Sequence, residues 1–277
     1  MPIRIGTNVS SIAAQNALEK NFDRREHAIK SLASGKRIVK ASDDAAGFSI
    51  AENLRAQKRG LAASERNIQD AISFIQVAEG SMNEQNNILI RMRELAIQAA
   101  SDTVSDVERG FLNKEFTQLS EELDRIANST SYGQQKLLAG EVKEFEFQVG
   151  TKNDENDRIN FTLEADARAD ALGVNGLDIE DQDDALDSLS DIDEGLSRIA
   201  GMRAEFGSIQ SRLHIAAGHA ATQYENVAAA HSNVADADVA KETAELTQAN
   251  ILSDMGVAVL AQANQNPLQA QRLIMNL

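Results

Sequence analysis

The chain has 277 residues and a formal net charge of −16, with no Cys, no Trp and only two Pro. Missing Cys excludes disulfide stapling, and the acidic balance disfavours phosphate backbones and anionic lipid as partners, so neither nucleic acid nor membrane is expected. No apolar run approaches the roughly 20 residues that a membrane-spanning helix needs. The first residues, Met-Pro-Ile-Arg-Ile-Gly-Thr-Asn, lack the basic and apolar blocks of a cleavable secretory signal, so export, if it occurs, is expected by another route.

From Ile3 to Leu32 the apolar residues Ile3, Ile5, Val9, Ile12, Leu18, Phe22, Ile29 and Leu32 fall at mostly helical spacing among Ala and polar residues, which predicts a thin amphipathic helix. Gly35 interrupts it, and Ser42-Asp43-Asp44 supplies N-cap chemistry for the next helix. That helix is predicted from near Asp43 to about Ala100, a length of about 90 Å. It carries Leu54, Leu61, Ile68, Ile75, Met82, Leu89 and Ala96 at every seventh position. A seven-residue period sustained this far keeps one stripe facing a partner helix.

Ser105 and Glu108 form a capping-box pattern ahead of Leu112, Phe116, Leu119, Leu123 and Ile126, predicting a shorter third helix that folds back. Alternation then replaces helical spacing in Phe145-Glu146-Phe147-Gln148-Val149 and Ile159-Asn160-Phe161-Thr162-Leu163, which predicts a β-hairpin around a polar loop. Gly173, Asn175 and Gly176 mark another loop before the acidic stretch Asp178 to Glu194. Helix is predicted to resume with a second seam, Ile192, Ile199, Phe206, Leu213, Ala220, Val227 and Val234.

Beyond Ala235-Asp236-Ala237-Asp238, a terminal arm carries Val239, Leu246, Ile251, Val257, Leu260, Leu268 and Leu273, and Pro267 is expected to weaken or end its helix. The apolar residues of either arm are too few to offset the entropy of ordering it alone. Both arms are therefore expected to be mobile in the monomer and to become helical on packing with neighbouring subunits.

Little in the chain suggests chemistry. His214 and His219 are five apart, on different helical faces, and no zinc-protease helix, nucleophile elbow or phosphate-cradling Gly loop is present. In the acidic stretch, Asp191-x-Asp193-x-Gly195 has its Gly one place too early for a calcium loop, and Met202 stands where the bidentate acid belongs. Those acids suit a helix N-terminus instead. No catalytic residue, cofactor or metal is expected.

Both ends carry specific motifs. Ile5-Gly6-Thr7-Asn8-Val9, Ser34-Gly35-Lys36-Arg37-Ile38 and Asp43-Asp44-Ala45-Ala46-Gly47 resemble the N-terminal signature of bacterial flagellins. Residues 235–242, Ala249-Asn250-Ile251-Leu252 and Ala261-Gln262-Ala263-Asn264-Gln265 resemble the C-terminal one, and the likeness covers almost the whole chain. The resemblance implies a mainly α fold: a long antiparallel helical rod or coiled-coil bundle with a small β-hairpin region, its termini forming a helical inner tube on assembly. The implied division is an N-terminal arm over 1–42, a rod over 43–235 with the hairpin near 141–165, and a C-terminal arm over 236–277. The short span from Asp166 to Gln182 leaves no room for variable outer domains, so a minimal form is implied. Gly6, Gly133-Gln134 and Gln265-Asn266-Pro267-Leu268 depart from the family's usual residues.

As function, the resemblance implies a structural subunit that polymerises into the extracellular flagellar filament. A hook-filament junction protein and a cytosolic coiled-coil signalling module are the alternatives. Val9, Ile12, Leu18, Phe22, Val239, Leu246 and Leu260 are the implied assembly interface. Partners implied are other copies of the chain, a flagellar export chaperone, and junction and cap proteins. Leu89 to Ala96 resembles the segment that a vertebrate innate receptor contacts on many flagellins, naming Arg91, Glu94 and Leu95, with Ile90 replacing the commoner Gln.

Overall fold

The computed structural model describes residues 7–275, with side chains described through Gln265. Expectations placed on Ile3, Ile5 and Gly6, and on the side chains of Leu268 and Leu273, lie outside the described residues. Among the described residues six α-helices run in chain order: α1 (Val9–Ser34), α2 (Ala45–Ala99), α3 (Asp106–Ser129), the short α4 (Ala169–Leu172), α5 (Gln182–Ala235) and α6 (Val239–Met275). Four strands, β1 (Ser131–Tyr132), β2 (Gln135–Lys136), β3 (Lys143–Gln148) and β4 (Arg158–Leu163), lie between α3 and α4. The chain divides into two compact units, residues 1–57 with 226–277, and residues 58–225.

In the unit of residues 58–225 the two seven-residue seams pack antiparallel. One core joins Ile68, Ile75 and Met82 of α2 to Phe206, Leu213 and Ala220 of α5. A second joins Leu89, Ala96 and Ala99 of α2 to Ala185, Ile192 and Ile199 of α5, with Phe116 and Leu123 of α3 closing it. Heptad spacing keeps these residues on one stripe, and both seams are buried through this unit. α5 begins ten residues ahead of the second seam, taking in much of the acidic stretch. Asp183 and Asp184 in its first turn complement the helix dipole, while Ala185, Ser188 and Ile192 face the core.

α3 starts where expected: the backbone N–H and the hydroxyl of Ser105 each donate to Glu108 Oε2 at 2.9 Å. These bonds hold the Glu108 carboxyl below the usual carboxylate range. Arg109 sits behind this cap, nearly buried, and donates from Nε to the Ala99 carbonyl at 2.8 Å and from Nη2 to the Ser101 carbonyl at 3.2 Å. α2 has no basic residue in its own last turn, so the cation that satisfies its carbonyl end comes from the next helix.

β3 and β4 pair antiparallel in the register Phe145↔Phe161 and Phe147↔Ile159, which sets the aromatic residues on the face turned to the helices. Phe161 meets Phe206 edge to face at 5.3 Å, and Phe74 meets Phe145 at 4.9 Å. The loop between the strands closes as expected of a turn-rich segment: the N–H groups of Val149 and Gly150 both donate to the Asp157 carbonyl. β1 and β2 form a second, smaller hairpin, too short to show alternation in the sequence. Gly133, at φ 63°, occupies the first central position of its two-residue turn, where a positive φ is required.

In the other unit, Asn8 caps α1 by accepting the Ser11 N–H at 3.1 Å, and Gly35 ends the helix in the left-handed region at φ 68°. Asp43 folds the following link by accepting the N–H groups of Lys40 (2.8 Å) and Val39 (3.1 Å), the first of which does most to lower its carboxyl pKa. Asp44 then caps α2 through the Gly47 N–H at 2.9 Å. A Cβ at Gly47 would lie 2.7 Å from Ile38 Cδ1 and 2.9 Å from Asp44 Cγ, so a side chain at this position would have to displace both.

Two expectations are corrected here. Each arm finds a helical partner inside its own chain, where α1 and α6 pack on each other, and not only on neighbouring subunits. Pro267 does not end its helix, and α6 continues to Met275: a proline keeps a helical φ, and the lost N–H donor and its crowding of the carbonyl four residues earlier are the weakening half of that expectation, not a stop.

Candidate assembly surface

α1 and α6 run antiparallel. The N-cap of α1 lies against Ala263, and its C-cap against Ala237. Their facing residues follow a heptad rhythm, Ser11, Ala14, Leu18, Asn21, Arg25, Ala28 and Leu32 on α1 and Glu242, Leu246, Ala249, Ser253, Gly256, Leu260 and Ala263 on α6, each buried or half-buried. Most are small or polar. Leu18 seats over Gly256, where an added Cβ would lie 3.1 Å from Leu18 Cδ1. Glycine here permits the close approach that one leucine fills.

The two links that leave the arms are tied together. Lys36 and Asp236 form an isolated antiparallel bridge, with the Arg37 N–H donating to the Ala235 carbonyl at 2.8 Å and the Ala237 N–H to the Gly35 carbonyl at 2.9 Å. Arg37 Nη2 adds a bond to the Val234 carbonyl at 2.9 Å. Asp238 caps α6 by accepting the Ala240 N–H at 2.9 Å. The two segments singled out as terminal signatures are thus one local structure, an arrangement that neither displays alone.

The structure separates the seven interface candidates into two groups. Leu18, Leu246 and Leu260 are half-buried between α1 and α6. Val9, Ile12, Phe22 and Val239 are exposed, Val9 by 64% and Val239 by 61%. Sequence reading gave Ile29 and Ile251 to the arms without separating faces, and missed Met255 and Val259 as surface residues; all four are exposed. The signal was available, since Ile251, Met255 and Val259 recur at four-residue steps opposite the Leu246, Ser253, Leu260 stripe.

Of the three receptor candidates on α2, Arg91 and Glu94 are exposed, whereas Leu95 is 1% exposed and packs within the second core. Leu95 therefore offers no accessible side chain and corrects that expectation: its heptad neighbours Leu89 and Ala96 turn it inward. Arg91 pairs with Glu115 of α3 at 2.8 Å and Glu94 at 3.1 Å, and Arg93 with Asp193 of α5 at 2.7 Å. These exposed pairs contribute little stability individually but fix which way the arginines point. Among the described residues, no group of three or more His, Asp or Glu is placed to hold a metal ion, and no helix is long and apolar enough to cross a membrane.

The family model described as the bacterial flagellin N-terminal helical region matches residues 5–143, and that of the C-terminal helical region matches residues 189–275. The chain is 39% identical over 270 residues to a flagellin of Halalkalibacterium halodurans, covering 98% of this chain and 99% of that protein. It is 35% identical over 308 residues to a flagellin of Bacillus subtilis, covering 98% and 100% respectively. It is also 35% identical to a flagellar filament core protein of Treponema maltophilum, covering 98% of each. Among solved structures, the crystal structure of Bacillus cereus flagellin is similar at a TM-score of 0.50 and 32% identity, covering 60% of this chain and 94% of that one. A putative flagellar hook-associated protein of Vibrio parahaemolyticus shares the fold alone, at a TM-score of 0.59 and 15% identity, covering 70% and 100%.

Proposed function

The chain belongs to the bacterial flagellin family, in a minimal form without outer domains, and from that premise we propose how it serves as the structural subunit of the flagellar filament. The observation that carries the reading is the set of exposed apolar side chains on α1 and α6: Val9, Ile12, Phe22 and Ile29 on one, and on the other Val239 at its start and the row Ile251, Met255 and Val259. Burying one such side chain contributes about 2 kcal/mol. Each of the eight is already about half covered, so together they contribute about 8 kcal/mol, comparable with the roughly 4 to 15 kcal/mol of freedom lost when a subunit docks. Leu18, Leu246 and Leu260 hold the two arms of one subunit together, and the outward rows join arms of neighbouring subunits.

In this reading residues 1–42 and 236–277 build the inner tube, and residues 43–235 form the rod around it. The subunit reaches the extracellular filament through the flagellar export route, served by an export chaperone and by junction and cap proteins. It acts by assembly, with no catalytic step. On the soluble subunit, Arg91 and Glu94 are the groups a vertebrate innate receptor would reach, with Leu95 supporting them from beneath.

Seeded growth tests the reading against a junction adaptor. Purified chain added to sheared filament seeds is expected to extend them to micrometre length. Short rings or caps that stop after a few subunits would indicate the adaptor, and absence of the protein from sheared extracellular filaments would indicate a cytosolic module.

A further inference from the structure

Pro267 lies inside α6 and has no N–H, so the Ala263 carbonyl four residues earlier is left without its helical donor. That carbonyl does not go unpaired. It accepts from Asn8 Nδ2 at 2.9 Å, while Asn8 Oδ1 accepts the Ser11 N–H at 3.1 Å as the cap of α1. One turn further, the Ser11 hydroxyl donates to Asn264 Oδ1 at 2.8 Å. The two partners of Asn8 also dictate its orientation, since a carbonyl requires the amide nitrogen and an N–H requires the oxygen.

We propose that Asn8 and Pro267 act as a latch that closes the free end of the arm pair, the proline exposing a carbonyl and the asparagine capturing it while it caps α1. The need for a latch follows from the seam. Ser11, Ala14, Asn21 and Ala28 face Ala249, Ser253, Gly256 and Ala263, so side-chain interlocking along most of the pair is slight. The other end is tied by the Lys36 and Asp236 bridge, and at this end the side-chain hydrogen bonds between the arms, among the described residues, are those of Asn8 and Ser11. The residue type fits both tasks at once. Among strong N-cap residues, an ionised Asp only accepts, and Ser or Thr must serve both roles from one short hydroxyl; Asn carries an acceptor and an amide donor on separate atoms.

The latch is a contact within one chain, so the inference does not rest on the polymerisation proposed above. Its test is amide hydrogen exchange over α1 in the full-length chain, measured on the soluble subunit and on polymer where it forms. Residues 58–225 serve as the internal control for folding. Asn8→Ser keeps an N-cap and removes the amide donor, so exchange in the first turns of α1 is expected to quicken about fivefold, the effect of one net hydrogen bond. Pro267→Ala returns an N–H to the Ala263 carbonyl, and in that background the same Asn8→Ser change is expected to quicken exchange less than about twofold. Equal factors in both backgrounds overturn the coupling to Pro267. No change on Asn8→Ser, or an α1 without protection in either preparation of the parent chain, overturns the latch itself. A failure to form filaments speaks only to the function proposed above and leaves this comparison intact.

Discussion

A fragment spanning residues 45–235 is expected to fold and to form no filaments at concentrations where the full chain polymerises completely. Every buried residue of the two cores, from Ile68 to Ala220, lies inside that fragment. So do the caps that start and stop its helices, Ser105 with Glu108 and Arg109 against the end of α2. The fragment loses α1 and α6, and with them both outward apolar rows. The flanking turns of α2 and α5, which belong to the other compact unit, are expected to fray. Circular dichroism checks the first half of this result, and sedimentation with electron microscopy the second. Filaments from the fragment would show that the rod alone polymerises.

The second large effect belongs to the core that holds the hairpin to the helices. Phe206 is 2% exposed and packs edge to face on Phe161 at 5.3 Å, so Phe206→Ala removes most of a ring from a site bounded by two helices and a strand. Such truncations cost about 3 to 5 kcal/mol, because the transfer energy of the ring is lost and the surroundings only partly fill the void. Against a total stability of roughly 5 to 15 kcal/mol, this is a large share. The melting temperature is expected to fall by roughly 10 °C. Phe111→Ala provides the contrast: Phe111 is 63% exposed, and a shift within about 0.5 kcal/mol is expected. Thermal unfolding of the two variants checks both, and comparable losses would place the stabilising core elsewhere.

Much of the fold was legible because its signals are periodic. The seams from Leu61 to Ala96 and from Ile192 to Ala220 announce their packing by recurring every seventh residue, and the hairpin announces itself by alternation around Phe145 and Phe161. What was missed depends on contacts between distant residues or on short segments. Arg109 looks like any helix-surface arginine until the open carbonyls of α2 are placed beside it. Gln85, in the middle of a seam, donates to the carbonyls of Leu123 at 3.1 Å and Ala167 at 2.9 Å, and nothing local marks it as a buried tie between α3 and the segment leading into α4. α4 is four residues long and has no room for a period.

The candidate surface was half legible. Val9, Ile12, Phe22 and Val239 are exposed as an assembly row requires, while Leu18, Leu246 and Leu260 turned inward because the antiparallel partner of each arm is the other arm. Pro267 misled for a related reason. Its missing N–H leaves the Ala263 carbonyl open, and the replacement donor sits on Asn8 at the opposite end of the chain.

The central claim is that the outward rows of α1 and α6 join subunits while the inward stripe joins the arms of one subunit. A side-chain-resolution reconstruction of filaments grown from this chain tests it most directly. The account predicts Val9, Ile12, Phe22, Val239, Ile251 and Met255 within van der Waals contact of neighbouring subunits, with Leu18 still seated over Gly256 of its own chain. Outward rows facing water or an open channel, with subunits joined through α3 or the hairpin instead, would contradict it.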